Sequence, residues 1–274
     1  MEVGIVAQRG NSRAAELAGE IRRALTETAV AVTLDSATAA ALDREGRPPE
    51  ALADCSLVVS IGGDGTFLYT ARAVAPAPVM GVNLGEVGFL NVTAPGEAVE
   101  AVREEVHRLR TTADPEFQEM PQVTASGDGW GLPPALNEIA VLGPQRGHGN
   151  GIDIEVRVDG DLYTGSHADG VLVATPTGST AYNLSEGGPL VNPSVGGFVV
   201  TEMCADGPMP SLVVSPESTV TVQIDGADLA YAVADGRTRE ELSPPTQVEI
   251  RRAPEPVRVA GPPLDFFTAL GKLD

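Results

Sequence analysis

The chain has 274 residues and a mass of 28.3 kDa, enough for one large domain or two modest ones with proper hydrophobic cores. It carries 38 acidic and 18 basic residues, a formal net charge of −20, and 42% of its residues are hydrophobic. The hydrophobic content excludes a disordered acidic tail, and the negative field argues against a protein that binds nucleic acid or an anionic membrane surface.

Short apolar runs alternate with helical patterns over the first 114 residues. Strands are predicted at 3–7, 30–34, 57–61 and 79–82. A helix with Ser12 as its N-cap follows the first strand, another begins near Thr66, and a third opens at Pro95 and Glu97 and reaches about Leu109. This rhythm predicts an α/β domain, residues 1–114, whose parallel sheet is covered by helices.

Helical periodicity nearly disappears after about Asp114, and short β-like runs separated by Gly, Pro, Asp and Asn replace it. We predict strands at 138–142, 152–158, 171–174, 199–203, 212–214, 219–224, 230–234 and 248–251. Residues 115–257 should therefore form a β-rich domain that is similar to a β-sandwich. The apolar tail, residues 258–274, is expected to pack back on the first domain.

A glycine loop, Gly62-Gly63-Asp64-Gly65-Thr66, follows the third predicted strand and precedes a helix. Glycines let the backbone approach a ligand closely, and successive N–H groups at a helix N-terminus bind anions. Asp64 would repel a phosphate unless it holds Mg²⁺ or accepts a proton from an attacking hydroxyl. The loop is neither the P-loop nor the dinucleotide fingerprint. A tight turn in which Asp64 only caps the helix is the alternative.

A second group of polar residues lies in the predicted β-rich domain. Asn137 and Glu138 offer an amide and a carboxylate, which suit the two hydroxyls of a ribose. Asp169-Gly170 leads a strand into residues 175–182, Thr-Pro-Thr-Gly-Ser-Thr-Ala-Tyr. These small hydroxyl residues allow a flat ligand to approach, and Tyr182 adds an aromatic face for a base or a ribose.

These segments resemble the NAD kinase family in order and approximate spacing over roughly residues 55 to 190. The string at 175–182 is close to diagnostic, whereas the glycine loop also occurs in diacylglycerol and sphingosine kinases and, loosely, in phosphofructokinases. The resemblance rests on residues 62–66, Gly81-Val82-Asn83-Leu84-Gly85, Gly88-Phe89-Leu90, Ala135-Leu136-Asn137-Glu138, Asp169-Gly170 and the string at 175–182 with Gly187-Gly188-Pro189.

The resemblance implies that the terminal phosphate of ATP, or of polyphosphate in some members, is transferred to the 2′-hydroxyl of the adenosine ribose of NAD. Mg²⁺, or another divalent cation, would neutralise charge on the transferring group. The family also implies assembly as homodimers or homotetramers.

The resemblance also implies a role for each matching residue. Asp64 would act on the 2′-hydroxyl, Asn137 and Glu138 would bind the NAD ribose, and Asp169 would hold the nicotinamide side. The adenine and ribose pocket would be lined by Phe89, Thr180, Ala181, Tyr182 and Ser185. The glycine loop would hold the phosphates through Gly62, Gly63, Gly65 and Thr66, with Gly63 and Gly65 also contacting NAD.

For two further residues, His167 and Asp235, the sequence does not decide between a structural role and a role in the site. His167 stands near the position where members usually carry an arginine, and it fits the rim of a pocket. Asp235, followed by Gly236, fits a hairpin turn or a place near the nucleotide.

Residues 203–212 lack the histidine and arginine that many members carry after Gly-Gly-Pro. A non-catalytic NAD(P)-binding paralogue therefore remains the alternative function. A lipid or sugar kinase that shares only the glycine loop is less favoured, because the string at 175–182 argues against it.

The remaining polar residues indicate the surroundings in which the protein works. Cys55 and Cys204 are expected to be small core residues, and three scattered histidines make a zinc site unlikely, so no metal is assigned to protein side chains. Lys272 is the only lysine, and the acid surplus favours a halophilic protein over a merely solubilising surface. Without a leader or an apolar run of roughly 18–20 residues, we expect a cytoplasmic protein.

Overall fold

The computed structural model describes residues 1–85, 88–145, 147, 151–263 and 266–271. The chain divides into two compact units: Met1–Met120 with Val257–Asp274, and Pro121–Pro256. The sequence placed the boundary after residue 114. The structure places it after residue 120, because a short strand at Gln118–Met120 pairs within the sheet of the first unit.

A six-stranded sheet forms the centre of the first unit within the described ranges. Its strands are β1 (Glu2–Ala7), β2 (Ala31–Leu34), β3 (Leu57–Ile61), β4 (Val79–Val82), β5 (Gln118–Met120) and β18 (Val257–Val259). The spatial order is β2-β1-β3-β4-β18-β5, with parallel pairing everywhere except between β18 and β5. The parallel sheet is confirmed, and β18 confirms that the tail returns to the first domain.

Helices accompany this sheet: α1 (Ser12–Thr26), α2 (Ser36–Ala41), α3 (Asp64–Val74), α4 (Ala98–Thr111) and α6 (Phe266–Leu270), with a 3₁₀ turn at Pro49–Leu52. The buried positions of α1 recur every three or four residues, as in Leu17, Ile21 and Leu25, so one face of the helix enters the core. The N-cap of α1 is Asn11, whose side chain accepts the N–H of Ala14, and not Ser12 as predicted.

Two antiparallel sheets form the second unit in the described part of the chain. Its strands are β6 (Val123–Gly127), β7 (Trp130–Gly131), β8 (Glu138–Leu142), β9 (Ile152–Val158), β10 (Asp161–Ala168), β11 (Gly170–Ala174), β12 (Phe198–Met203), β13 (Leu212–Val214), β14 (Val220–Asp225), β15 (Ala230–Ala234), β16 (Thr238–Leu242) and β17 (Thr246–Arg252). The sheet orders are β10-β9-β14-β17-β6-β7 and β13-β12-β11-β8-β15-β16. A 3₁₀ turn at Gly178–Thr180 and the short helix α5 (Tyr182–Ser185) follow β11.

Both sheets of the second unit contribute side chains to one hydrophobic core. Val156 and Val222 come from the first sheet, and Val141, Val173 and Val200 from the second. Along β9 and β14, buried residues alternate with more exposed ones, as expected where one face of a sheet meets the core. The β-rich second domain with packed sheets is therefore confirmed.

The strands that the sequence missed include the polar edge strands β10 and β16. Edge strands commonly carry charged and polar residues, which hide the apolar alternation of a strand. Cys55 is buried as predicted, whereas Cys204 is exposed beyond the end of β12. The helices in the described ranges lack the length and apolar character that a membrane span requires.

Candidate functional site

The glycine loop lies where the sequence predicted it, between β3 and α3. Helix α3 begins at Asp64, and the cap residue Gly63 is extended, with φ −86° and ψ −179°. A Cβ atom at Gly63 or Gly65 would meet nothing within 4 Å, and both residues are exposed. The backbone at the start of α3 therefore has room for an anionic ligand.

The carboxylate of Asp64 is held in place by the segment that follows β4. The N–H of Phe89 donates to Oδ2 at 3.0 Å, and the N–H of Leu90 donates to Oδ1 at 3.1 Å. Each oxygen keeps a further lone pair for a ligand. Asp64 is the first helical residue and does not cap α3, so the alternative of a mere capping aspartate is wrong.

Gly88 and Asn91 make this arrangement of Asp64 possible. A Cβ atom at Gly88 would lie 2.1 Å from Oδ1 of Asp64, so only glycine leaves space for the carboxylate there. Asn91 is fully buried, and its Nδ2 donates to the carbonyl of Gly62 at 3.2 Å. Asn91 was missed in the sequence, although it directly follows the Gly-Phe-Leu segment.

Phe89 also contacts the C-terminal tail in the first unit. Its ring centroid lies 6.3 Å from that of Phe266 in α6, with the rings tilted by 53°. The contact with adenine that the family resemblance implies for Phe89 stays a prediction.

In the second unit, the side chain of Asp235 binds the backbone of residues 136–138. Its Oδ1 accepts the N–H groups of Asn137 at 2.8 Å and Glu138 at 3.2 Å, and its Oδ2 accepts that of Leu136 at 3.1 Å. The carboxylate thus fixes the segment that carries the predicted ribose-binding pair.

Asp235 reaches this position from a tight turn between β15 and β16. The N–H of Arg237 donates to the carbonyl of Ala234 at 3.0 Å, with Asp235 and Gly236 between them at φ 47° and 63°. Positive φ at both central residues is typical of a type I′ hairpin turn, which favours Asp-Gly. Asp235 is therefore a hairpin residue whose side chain also organises residues 136–138.

Glu138 is buried beside Asp235. Its side chain is 5% exposed, and its Oε2 has no hydrogen-bond partner among the described residues. Burial, followed by the negative charge of Asp235, raises the pKa of Glu138 to about 7, although a hydrogen bond from the backbone of Tyr182 opposes the rise. Glu138 can therefore change its protonation state near neutral pH.

Asn137 lies against the start of the 175–182 string. Its carbonyl accepts the N–H of Thr175 at 2.8 Å, and the hydroxyl of Thr175 donates to the carbonyl of Leu136 at 2.6 Å. A Cβ atom at Gly178 would lie only 2.0 Å from the Asn137 carbonyl oxygen. The two predicted ligand-binding segments of this unit are therefore in direct contact.

A buried asparagine, which sequence reasoning missed, supports the end of the string. Nδ2 of Asn183 donates to the carbonyls of Ser179 at 3.4 Å and Pro189 at 3.0 Å, and its Oδ1 accepts the Thr201 hydroxyl at 2.9 Å. The predicted pocket residues on either side of Asn183 in the sequence are accessible to a ligand. Thr180, Ala181 and Tyr182 are half-buried, and Ser185 is exposed.

His167 lies near the end of β10, and Asp169 directly follows the strand. The buried carboxylate of Asp169 accepts the N–H of Gly147 at 3.0 and 3.3 Å, so it holds the loop after β8. His167 is exposed, and its Nδ1 lies 2.7 Å from Oδ1 of Asp153. Their proximity to a ligand stays a prediction, and His148 lies outside the described residues.

Comparison with known proteins identifies the family. Residues 3–109 match the ATP-NAD kinase N-terminal domain, and residues 136–261 match the ATP-NAD kinase C-terminal domain. The chain belongs to the NAD kinase family.

Relatives in the NAD kinase family align along the whole chain. An NAD kinase from Natronomonas pharaonis is 60% identical over 274 residues, and one from Halobacterium salinarum is 56% identical over 282 residues, each covering 100% of both chains. These sources are halophilic archaea, which agrees with the predicted halophilic character. The kinase is thereby favoured over the non-catalytic paralogue and over the lipid or sugar kinase.

Solved structures of NAD kinases share the fold. The crystal structure of an NAD kinase from Archaeoglobus fulgidus in complex with ATP has a TM-score of 0.79 at 28% identity and covers 100% of this chain and 98% of that chain. Yeast NADH kinase complexed with NADH has a TM-score of 0.83 at 22% identity and covers 100% of this chain and 87% of that chain. The latter likeness supports the fold alone.

Proposed function

We propose that the chain transfers the terminal phosphoryl group of ATP to the 2′-hydroxyl of the adenosine ribose of NAD, giving NADP and ADP. Family membership supports the reaction. The observation that carries the residue assignment is the oriented carboxylate of Asp64 in the glycine loop, which accepts the backbone N–H groups of Phe89 and Leu90. The crystal structure of the Archaeoglobus fulgidus NAD kinase in complex with ATP supports ATP as the donor.

Asp64 acts in this proposal as the general base. A ribose hydroxyl is a weak nucleophile near neutral pH, and a positioned base contributes about 10²–10⁴-fold to the rate. As the 2′-oxygen bonds to phosphorus, its proton passes to Asp64, and the bond to ADP breaks with the electron pair leaving on ADP. The N–H groups of Gly63 and Gly65 bind phosphate oxygens, with Gly62 and Thr66 completing the loop.

Mg²⁺ enters as part of the MgATP substrate in this proposal. No group of three or more His, Cys, Asp or Glu side chains within the described ranges is placed to hold a metal ion. Mg²⁺ commonly binds to substrate phosphates and water with few protein ligands, so its entry as MgATP requires no such group.

The second unit binds the dinucleotide in this proposal. Asn137 and Glu138 bind ribose hydroxyls, and their backbone is fixed by Asp235. The half-buried Tyr182 offers an aromatic face, and Asp169 binds the nicotinamide side. The homodimer or homotetramer and the cytoplasmic location stay predictions.

One product assay tests this function. The purified chain is incubated with NAD and Mg²⁺ in molar KCl, with ATP or polyphosphate as donor, and NADP is measured with an NADP-specific dehydrogenase. We expect NADP with ATP. Binding of NAD by calorimetry, without product from either donor, would identify a non-catalytic dinucleotide-binding protein instead.

A further inference from the structure

Glu138 is a buried ionisable group whose carboxyl lacks the partners that a buried charge needs. It begins β8, its side chain is 5% exposed, and Oε2 has no hydrogen-bond partner in the described part of the chain. The backbone N–H of Tyr182, at the start of α5, donates a hydrogen bond to this carboxyl. Because an ionised carboxylate loses much hydration free energy on burial, it needs several donors or a cation.

The groups around Glu138 favour its neutral form. From the β15–β16 turn, Asp235 presents a carboxylate that accepts three backbone N–H groups, and its negative charge opposes a second negative charge on Glu138. From β11, the cross-strand neighbour is Ala174, and from α5 the neighbour is the Tyr182 backbone. Neither Ala174 nor the Tyr182 backbone supplies a cation, so burial and the Asp235 carboxylate both favour a proton on Glu138.

We propose that Glu138 binds NAD in its protonated form, donating a hydrogen bond from its carboxyl O–H to a ribose hydroxyl oxygen. The proposal rests on the function proposed above, because it takes NAD as the ligand of this segment. A neutral carboxyl has one O–H donor and also keeps acceptor lone pairs. It can therefore donate a hydrogen bond to one ribose hydroxyl and accept one from another. A neutral Glu138 also adds no second negative charge beside Asp235, so it does not increase the repulsion of the anionic dinucleotide.

The protonation state makes NAD affinity dependent on pH. Below the pKa of Glu138, which burial and Asp235 raise to about 7, the donor is present and NAD binds tightly. Above it the donor is lost and a negative charge appears, so the Kd for NAD rises, approaching about tenfold per pH unit if only the protonated form binds.

Calorimetric titration of NAD from pH 5.5 to 8.5 in molar KCl tests the proposal. For the unchanged protein we expect the Kd to rise about tenfold or more between pH 6 and pH 8.5. Glu138→Gln keeps a neutral N–H donor of similar size, so its Kd should be nearly constant across this range. Asp235→Asn removes the neighbouring charge, so the rise in Kd should begin at lower pH.

Glu202→Gln is the matched control. Glu202 is another buried glutamate of the second unit, but its carboxylate accepts hydrogen bonds from Thr164, Ser166 and the N–H of Met209. This variant should keep the pH dependence of the unchanged protein. A constant Kd in the unchanged protein, or a pH-dependent Kd in Glu138→Gln that parallels it, overturns the proposal.

Thermal unfolding without ligand gives a second readout. The unfolded chain releases the Glu138 proton near pH 4.5 and the folded chain near pH 7, so the folded state loses stability as the pH rises from 4.5 through 7. Glu138→Gln should therefore raise the Tm more, or lower it less, at pH 8 than at pH 5. An equal change in Tm at both pH values overturns the proposal.

NAD binding without turnover refutes only the proposed phosphoryl transfer. Absence of NAD binding refutes both the proposed function and the proposed role of Glu138.

Discussion

At the scale of single residues, the orientation of Asp64 depends on a glycine distant in sequence. The carboxylate accepts the N–H groups of Phe89 and Leu90, and it occupies the space that a side chain at Gly88 would fill. The local motif 62–66 predicts an aspartate at a helix start, but it contains no information about residues 88–90. The resemblance to the NAD kinase family pointed to both segments, while their contact emerged only from the fold.

Replacing Gly88 with alanine tests this contact. The added Cβ would lie 2.1 Å from Oδ1 of Asp64, and the end of the aspartate side chain can move more easily than the backbone. We expect kcat to fall about 10²-fold, as a misplacement of about 1 Å can cause, with little change in Tm. Gly96→Ala is the control, because a Cβ there meets nothing within 4 Å, and its kcat should be unchanged. Unchanged kcat in a folded Gly88→Ala variant would show that the position of the Asp64 carboxylate against residues 88–90 does not affect catalysis.

At the scale of elements, the predictability of a strand follows its burial. The bounds of β3, β8 and β11 were predicted to within one residue, because their side chains are mostly buried on both faces and form continuous apolar runs. The edge strands β10 and β16 have polar sequences and were missed. Asp235 contacts a backbone that is 97 residues or more away in sequence, so its dual role could not be derived from the local Asp-Gly signal.

The segment after β11 depends on Asn183 for its shape. Asn183→Ala leaves the Ser179 and Pro189 carbonyls and the Thr201 hydroxyl without this buried partner. We expect a loss of about 2 kcal/mol in the free energy of unfolding, or a Tm lower by roughly 4–8 °C, measured by calorimetry. Asn192→Ala is the control. Within the described part of the chain, the hydrogen bonds given for the Asn192 side chain join it to exposed Ser194 alone, so its Tm should stay within about 2 °C. Equal Tm values for both variants would contradict the supporting role of Asn183.

At the scale of the whole molecule, the surplus of carboxylates sets the working conditions. Acidic residues outnumber basic ones by 38 to 18, and ion pairs such as Arg251–Glu249 and Arg252–Glu217 lie at the surface, where each contributes about 0–1 kcal/mol. Such pairs cannot offset the mutual repulsion of the remaining acidic groups. The same negative field opposes the approach of NAD and ATP, both of which are anionic.

Salt should therefore raise both activity and stability. At molar KCl the Debye length falls to about 3 Å, which screens the repulsion among surface carboxylates and between the protein and its substrates. We expect kcat/KM for NAD and the Tm to increase from dilute buffer to molar KCl. Highest activity in dilute buffer would contradict the halophilic interpretation without affecting the assignment of Asp64.

The most direct measurement is the single-turnover rate of NADP formation by the unchanged protein and by Asp64→Asn, with saturating NAD and MgATP in molar KCl. Asparagine is nearly isosteric with aspartate but is a far weaker base, so the proton of the 2′-hydroxyl loses its acceptor. We predict a rate at least about 10²-fold lower in Asp64→Asn, with an unchanged Tm and an NAD affinity within a few fold. An equal rate in both proteins would contradict the role of Asp64 as the general base.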